Sequence, residues 1–259
     1  MAKKHENYKE LIWTLAKTDF KLRYHGSVLG YIWAILKPLL LFAIMNFVFS
    51  SLFNPKGSGI HYYSLQLLTS LMIWNFFAEG TTAGMNSLLS KAQLVTKIYV
   101  PRWAIIIAST INATLVFLMN VIVIIIFFAL YHFMPSVESI LFFALYIVLT
   151  YVLIVSFAFF TAPWYVKLRD LSMIWEVVIL ALFYATPIVY TLQMLPAHIQ
   201  RVVLLNPMAF IINFNKEGLI DNHFAPGYEN LIFIVIIAVI FFLSVLSYRK
   251  FSARIAEDI

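Results

Sequence analysis

Between Arg102 and Glu138 the chain carries no Lys, Arg, Asp or Glu. A helix needs about 20 apolar residues to cross roughly 30 Å of hydrocarbon, and this tract exceeds that length. In lipid only a helix or a closed barrel satisfies its own backbone polar groups. The tract therefore predicts a membrane-spanning helix. Composition places the rest of the chain in the same solvent: 63% of the 259 residues are hydrophobic and 12% charged, against about half apolar and a quarter charged in a soluble domain.

Dividing the sequence at that length gives six candidate spans, at 28–53, 62–88, 103–133, 138–165, 171–191 and 228–248. The fifth is the least regular, beginning beside Glu176 and running into Pro187. The expectation is an all-α integral membrane protein with one domain, 1–259. Within it, 1–27 forms a cytoplasmic interface helix, 28–191 the first five spans, 192–227 an external segment, and 228–259 the sixth span with a cytoplasmic tail. The polar first 25 residues lack the apolar core and small-residue cleavage site of a signal peptide, so the N-terminus is expected to stay on the side where it is made.

Orientation follows from basic residues, which are enriched in cytoplasmic loops. With the N-terminus inside, Lys3, Lys4, Lys9, Lys17, Lys21, Arg23, Lys91, Lys97, Arg102, Lys167, Arg169, Arg249, Lys250 and Arg254 are cytoplasmic, and only Lys56, Arg201 and Lys216 are external. This asymmetry puts both termini in the cytoplasm and accounts for the net charge of +6 without a nucleic-acid partner. Ahead of the first span, Tyr8, Leu11, Ile12 and Leu15 form one helical stripe with Lys9 and Lys17 off it. That pattern predicts an amphipathic helix in the cytoplasmic interface; the competing reading is a solvated charged tail. Segment 187–224 is too interrupted by Pro187, Pro196 and Pro207 for one helix and too apolar for an ordinary loop. Two short re-entrant helices meeting near Asn206 and Pro207 are expected, with flat interfacial helices as the alternative.

Chemistry is sparse. No G-x-x-x-x-G-K-[ST] occurs to cradle nucleotide phosphates, there is no cysteine, and the six histidines are dispersed without metal-ligand spacing. No catalytic residue, metal site or cofactor is expected in this chain. Lys37, in the first span, and Glu79, in the second, are costly in lipid and so suggest function. Lys37 can snorkel to the headgroups, or Glu79 can pair with it or face a polar channel wall. Gly80 and Gly84 form a small-xxx-small face suited to close helix packing. Trp33, Trp74, Phe76, Phe77, Tyr184 and Tyr190 lie in or near spans, where aromatic rings can line a conduit for sugars or simply pack.

The stretch RYHGSVLGYIWAILKPLL, 23–40, resembles the segment opening the first span in the membrane subunits of ABC-2 type polysaccharide exporters, the family that moves O-antigen, capsule, rhamnan and teichoic acid polymers. The resemblance continues through Lys91, Lys97, Pro101 and Arg102, the pair Arg169-Asp170, T-P-I-V-Y at 186–190, and Leu195-Pro196 with Asn206-Pro207. It departs in AFFTAPWYVKLRD, 158–170, where Pro163 stands in a segment that many relatives write like L-N-x-x-F-R-D, which leaves the end of the fourth span open.

The resemblance implies a homodimer carrying two copies of a cytoplasmic ABC ATPase, which binds the ATP and Mg, in the plasma (bacterial inner) membrane among lipid. It implies a polyprenyl-pyrophosphate-linked polysaccharide admitted at Lys21, Arg23, Tyr24, Ser27, Leu29, Gly30 and Lys37. It further implies ATPase coupling through 88–100 and Lys91, Lys97, Arg102, Arg169 and Asp170, a channel lined by the six aromatics, and an external gate at Pro196, Asn206 and Pro207. Three other classes compete: an ABC-2 exporter of a smaller lipid or drug, an ATPase-independent flippase or carrier, for which no internal repeat is found, and a membrane glycosyltransferase or phosphatase, for which clustered carboxylates or a nucleophile with its base are missing.

Overall fold

The computed structural model describes residues 8–53, 62–97 and 100–252. Lys3, Lys4, Lys56, Arg254 and part of the 88–100 coupling segment lie outside that range or its boundaries. Among the described residues the chain is helical, without strands: α1 (Tyr8–Tyr24), α2 (Trp33–Phe53), α3 (Tyr63–Ser90), α4 (Ala92–Lys97), α5 (Arg102–Leu130), α6 (Val137–Lys167), α7 (Leu171–Ala185), α8 (Ala197–Val203), α9 (Pro207–Asp221) and α10 (Gly227–Ser252).

By length and composition together, four segments among the described residues can cross a membrane: Gly30–Ser50, Arg102–Leu130, Val137–Lys167 and Gly227–Phe251. The two remaining expected spans are helices of a different kind. α3 has 28 residues, about 42 Å at 1.5 Å per residue, but carries Gln66, Asn75 and Glu79. α7 has 15 residues and ends at Ala185, six residues short of the expected boundary at 191. Pro187 supplies the reason, since it has no N–H to donate and drives the preceding residue toward extended backbone. Thr186 is indeed extended, at φ −100° and ψ 136°. At about 22 Å, α7 alone is shorter than the hydrocarbon.

α3 is the centre of the molecule, packed against α5 on one side and α6 on the other. Its contact with α6 depends on two missing side chains. A Cβ on Gly84 would stand 2.5 Å from the Ala158 Cβ, and one on Gly80 would stand 2.8 Å from Ile154. The Gly80/Gly84 face thus serves close helix packing. α6 continues as helix through Pro163 to Lys167, which resolves the open end of the fourth span. Its N-terminus is capped by Ser136, whose hydroxyl accepts the Ser139 N–H at 3.1 Å.

α9 packs against α3 and α6 with every residue from Met208 to Ile220 buried. α10 closes the other side of α6, where the buried Tyr146 hydroxyl donates to Asn230 Oδ1 at 2.7 Å and Phe210 of α9 stacks on Phe233 at 4.2 Å.

Candidate functional site

The chain leaves α1 and enters α2 through a turn that two glycines make possible. Gly26 and Gly30 have φ of 78° and 50°, a region that strains any residue with a Cβ. A single 3-10 turn, Gly30–Ile32, then feeds α2. Three rings clamp the turn to α1: Phe20 stacks on Tyr31 at 5.1 Å and 7°, and Tyr24 meets both edge-on at 5.5 and 5.7 Å.

Behind this turn lies a cavity of about 820 Å³ between α2, α3 and α5, with Arg23, Lys37, Asn75, Glu79, Asn112 and Asn120 among its walls. A second cavity of about 300 Å³ adds Tyr24, Ser27 and Trp33 and shares Arg23, Lys37 and Glu79. The two therefore adjoin. Arg23 Nη2 lies 3.1 Å from Glu79 Oε1, so of the two readings for Glu79 the structure favours a polar cavity wall, with Arg23 and not Lys37 as its partner. Lys37 faces both cavities and pairs with no carboxylate among the described residues. With two cations and one carboxylate the site carries a net positive charge, and an arginine fork suits phosphate oxygens. No group of three or more His, Cys, Asp or Glu is placed to hold a metal among the described residues.

The expected intake residues divide. Arg23, Tyr24, Ser27 and Lys37 line the cavities, while Leu29 and Gly30 build the turn. Lys21 is exposed and on neither wall: two residues from Arg23, it points to another side of α1. The expected conduit aromatics do not gather around one passage within a single chain. Trp33 lines the smaller cavity and Phe76 the larger, stacked on Phe117 at 4.5 Å. Phe77 lines a separate cavity of about 480 Å³ together with Asn206 and Pro207. Trp74 is core, packed on Phe77 and Phe183. Tyr184 is exposed on α7, and its carbonyl accepts from the Tyr190 hydroxyl at 3.3 Å.

Of the expected coupling residues, Lys91 follows the end of α3 and forms an ion pair with Asp19 of α1. Lys97 is the last residue of α4, Arg102 the first of α5, and Arg169 and Asp170 form the exposed turn between α6 and α7. Asp19, which sequence reasoning did not single out, sits one helical turn before Arg23. α1 therefore touches both the end of α3 and Glu79 from one face.

Segment 187–224 holds two helices, α8 and α9, on either side of Asn206. Pro196 precedes α8, and Asn206 caps α9, its Oδ1 accepting the Met208 N–H at 3.0 Å while its Nδ2 donates to Thr186 Oγ1 at 3.1 Å. The 187–190 segment is pinned by a residue read from sequence as an ordinary external cation. Lys216 is 3% exposed, and its Nζ donates to the Pro187 carbonyl at 2.6 Å and the Tyr190 carbonyl at 2.9 Å. Burial pushes its ammonium down to about 8, against the opposing pull of Glu217. Glu217 accepts from Gln193 at 2.8 Å and stands 2.9 Å from His223 Nδ1.

Residues 10–215 match the model of the ABC-2 type transporter family. Among curated proteins, one O-antigen export system permease protein RfbA from Klebsiella pneumoniae is 28% identical over 253 residues, covering 96% of this chain and 94% of that protein. A second RfbA from the same organism is 31% identical over 228 residues, covering 87% and 86%. RfbA of Myxococcus xanthus is 23% identical over 236 residues, covering 90% and 88%.

Proposed function

The chain belongs to the ABC-2 type transporter family, and from that premise we propose that it is the membrane subunit of an ATP-driven exporter of a polyprenyl-pyrophosphate-linked cell-surface polysaccharide of the O-antigen kind. The observation that carries this reading is the pair of adjoining cavities behind the α1–α2 turn, where Arg23 and Lys37 outnumber Glu79. The pyrophosphate of a lipid-linked glycan arrives from the cytoplasmic leaflet with its isoprenoid tail in the bilayer. Its oxygens take donors from Arg23 and Lys37, competing with the Glu79 carboxylate, and its first sugars meet Trp33.

Two copies of this chain, each with six spans and cytoplasmic termini in the bacterial plasma membrane, enclose the conduit that the expected aromatics do not form within one chain. Two partner ATPase subunits bind ATP and Mg and hydrolyse the nucleotide, and α4 with the Arg169-Asp170 turn receives their motion. The Asp19–Lys91 and Arg23–Glu79 pairs give α1 a connection from that receiving end to the cavity mouth. Binding and hydrolysis act by favouring one of two helix arrangements over the other. α8 and α9 close the external end.

The test is an Arg23→Ala/Lys37→Ala double variant assayed for surface polymer and for membrane insertion. Export falls while insertion is unchanged; a variant that exports normally removes the phosphate-binding role of this cavity.

A further inference from the structure

The larger cavity contains two buried acceptor oxygens that a fully ionised phosphate cannot satisfy. Asn112 and Asn120 both line it from α5, and Asn75 lines it from α3. Asn120 is 3% exposed. Its Nδ2 donates to the Val116 carbonyl at 3.1 Å, and among the described residues no group bonds its Oδ1, nor the Oδ1 of Asn112. Buried amide oxygens without a partner are rare and costly, and each calls for an explanation. Here both stand on the wall of one cavity, eight residues apart on the same helix. Positions i and i+8 share a face and are separated by about 12 Å, a span that follows more than one pyranose ring.

The hydrogen-bonding character of these groups restricts what they can recognise. The Asn120 Oδ1 is an acceptor without a partner, and an acceptor needs a donor. A pyrophosphate at neutral pH and an isoprenoid chain bring no O–H donor to such a site; a sugar brings several. The small side chains of Ala78, Ala83 and Ala113 leave the room beside the amides. Arg23 and Lys37 line both cavities and Asn112 and Asn120 the larger alone, so the larger cavity holds cations and amide oxygens together.

Resting on the exporter reading above, we infer that Asn112 and Asn120 are specificity-determining residues that accept hydrogen bonds from the hydroxyls of the first, uncharged sugars of the lipid-linked substrate. The chain thereby distinguishes a glycosylated carrier from the bare polyprenyl pyrophosphate before transport begins. Asn75, on the facing helix, borders the same hydroxyl-binding space.

The experiment measures binding to the full chain, purified with its partner ATPase in lipid nanodiscs, using two probes: a polyprenyl pyrophosphate, and the same lipid bearing two neutral hexoses. The wild type binds the glycosylated probe roughly tenfold more tightly, about 1.4 kcal/mol. Asn112→Leu/Asn120→Leu binds both probes alike, at the affinity the wild type shows for the bare carrier. Asn112→Ala, at the less buried position, gives a smaller loss of the same preference and serves if the double variant does not fold. Equal binding of the two probes by the wild type, or a preference that survives in both variants, overturns the inference and leaves the pyrophosphate site standing. Failure of the wild type to bind either probe overturns the exporter reading and the inference with it.

Discussion

Arg23 and Glu79 meet at 3.1 Å across the wall shared by the two cavities, which makes the Glu79 carboxylate an internal competitor for any anion that Arg23 receives. Both side chains are partly exposed, at 38% and 28%, and a pair of that kind contributes at most about 1 kcal/mol to stability. Glu79→Gln should therefore leave the fold intact and bind polyprenyl pyrophosphate more tightly than the wild type, while Arg23→Ala binds it more weakly. Calorimetric titration of the purified protein checks both. Weaker binding by Glu79→Gln would mean that Glu79 orients Arg23 rather than competing for it.

A Cβ at Gly84 would come nearer to α6 than one at Gly80, and the facing atom is the Cβ of Ala158, which has no rotamer to move away. Gly84→Ala should cost about 1–3 kcal/mol through overpacking. Restoring the space with Ala158→Gly in that background should recover part of the loss. Thermal melting in detergent reads both; an additive pair of losses would show that the contact at this point is not limiting.

Lys91 has an intramolecular partner, Asp19, whereas Lys97 closes the short helix α4. Charge reversal at Lys97 should weaken co-purification of the partner ATPase. Lys91→Glu should impair transport and be rescued by Asp19→Lys, because the swapped pair restores the attraction between α1 and α3. If Lys91→Glu abolishes ATPase binding and the second substitution does nothing, Lys91 docks the partner directly.

Lys216 holds Pro187 and Tyr190 from inside the protein. Its ammonium is lowered from 10.5 to about 8 by burial, so between those values the folded chain binds fewer protons than the unfolded one, and the contribution of this residue to stability rises with pH. Raising pH from 7 to 9.5 should therefore narrow any penalty of charging Lys216 in the wild type, an effect absent from Lys216→Met. That variant also leaves two buried carbonyls without their donor and loses stability at both pH values. Parallel melting-temperature profiles for the two proteins would exclude the titration.

Hydropathy made the helices legible, because the demand for about 20 apolar residues leaves few ways to divide this chain. The turn into α2 follows from residue type, since glycine at 26 and 30 adopts positive φ cheaply. α7 was not legible, since its composition continues past the point where Pro187 removes the next helical donor. Nor were the partners of charged residues: the sequence places Lys37 and Arg23 within the same stretch, and only the packing of α1 decides which one reaches Glu79. Lys216 shows the same limit from the other side, because a cation lying between predicted spans need not be exposed. The asparagines of α5 left a visible signal, two amides eight residues apart in a span without charge, and their meaning depends on the cavity beside them.

The most direct measurement is transport itself. The chain is co-purified with its partner ATPase, reconstituted into proteoliposomes, and supplied with lipid-linked glycan and ATP on the side bearing the ATPase. ATP-dependent appearance of the glycan on the opposite side, lost on Arg23→Ala/Lys37→Ala, is the predicted result. Glycan movement that proceeds at the same rate without ATP, or a chain that recruits no ATPase, would contradict the account.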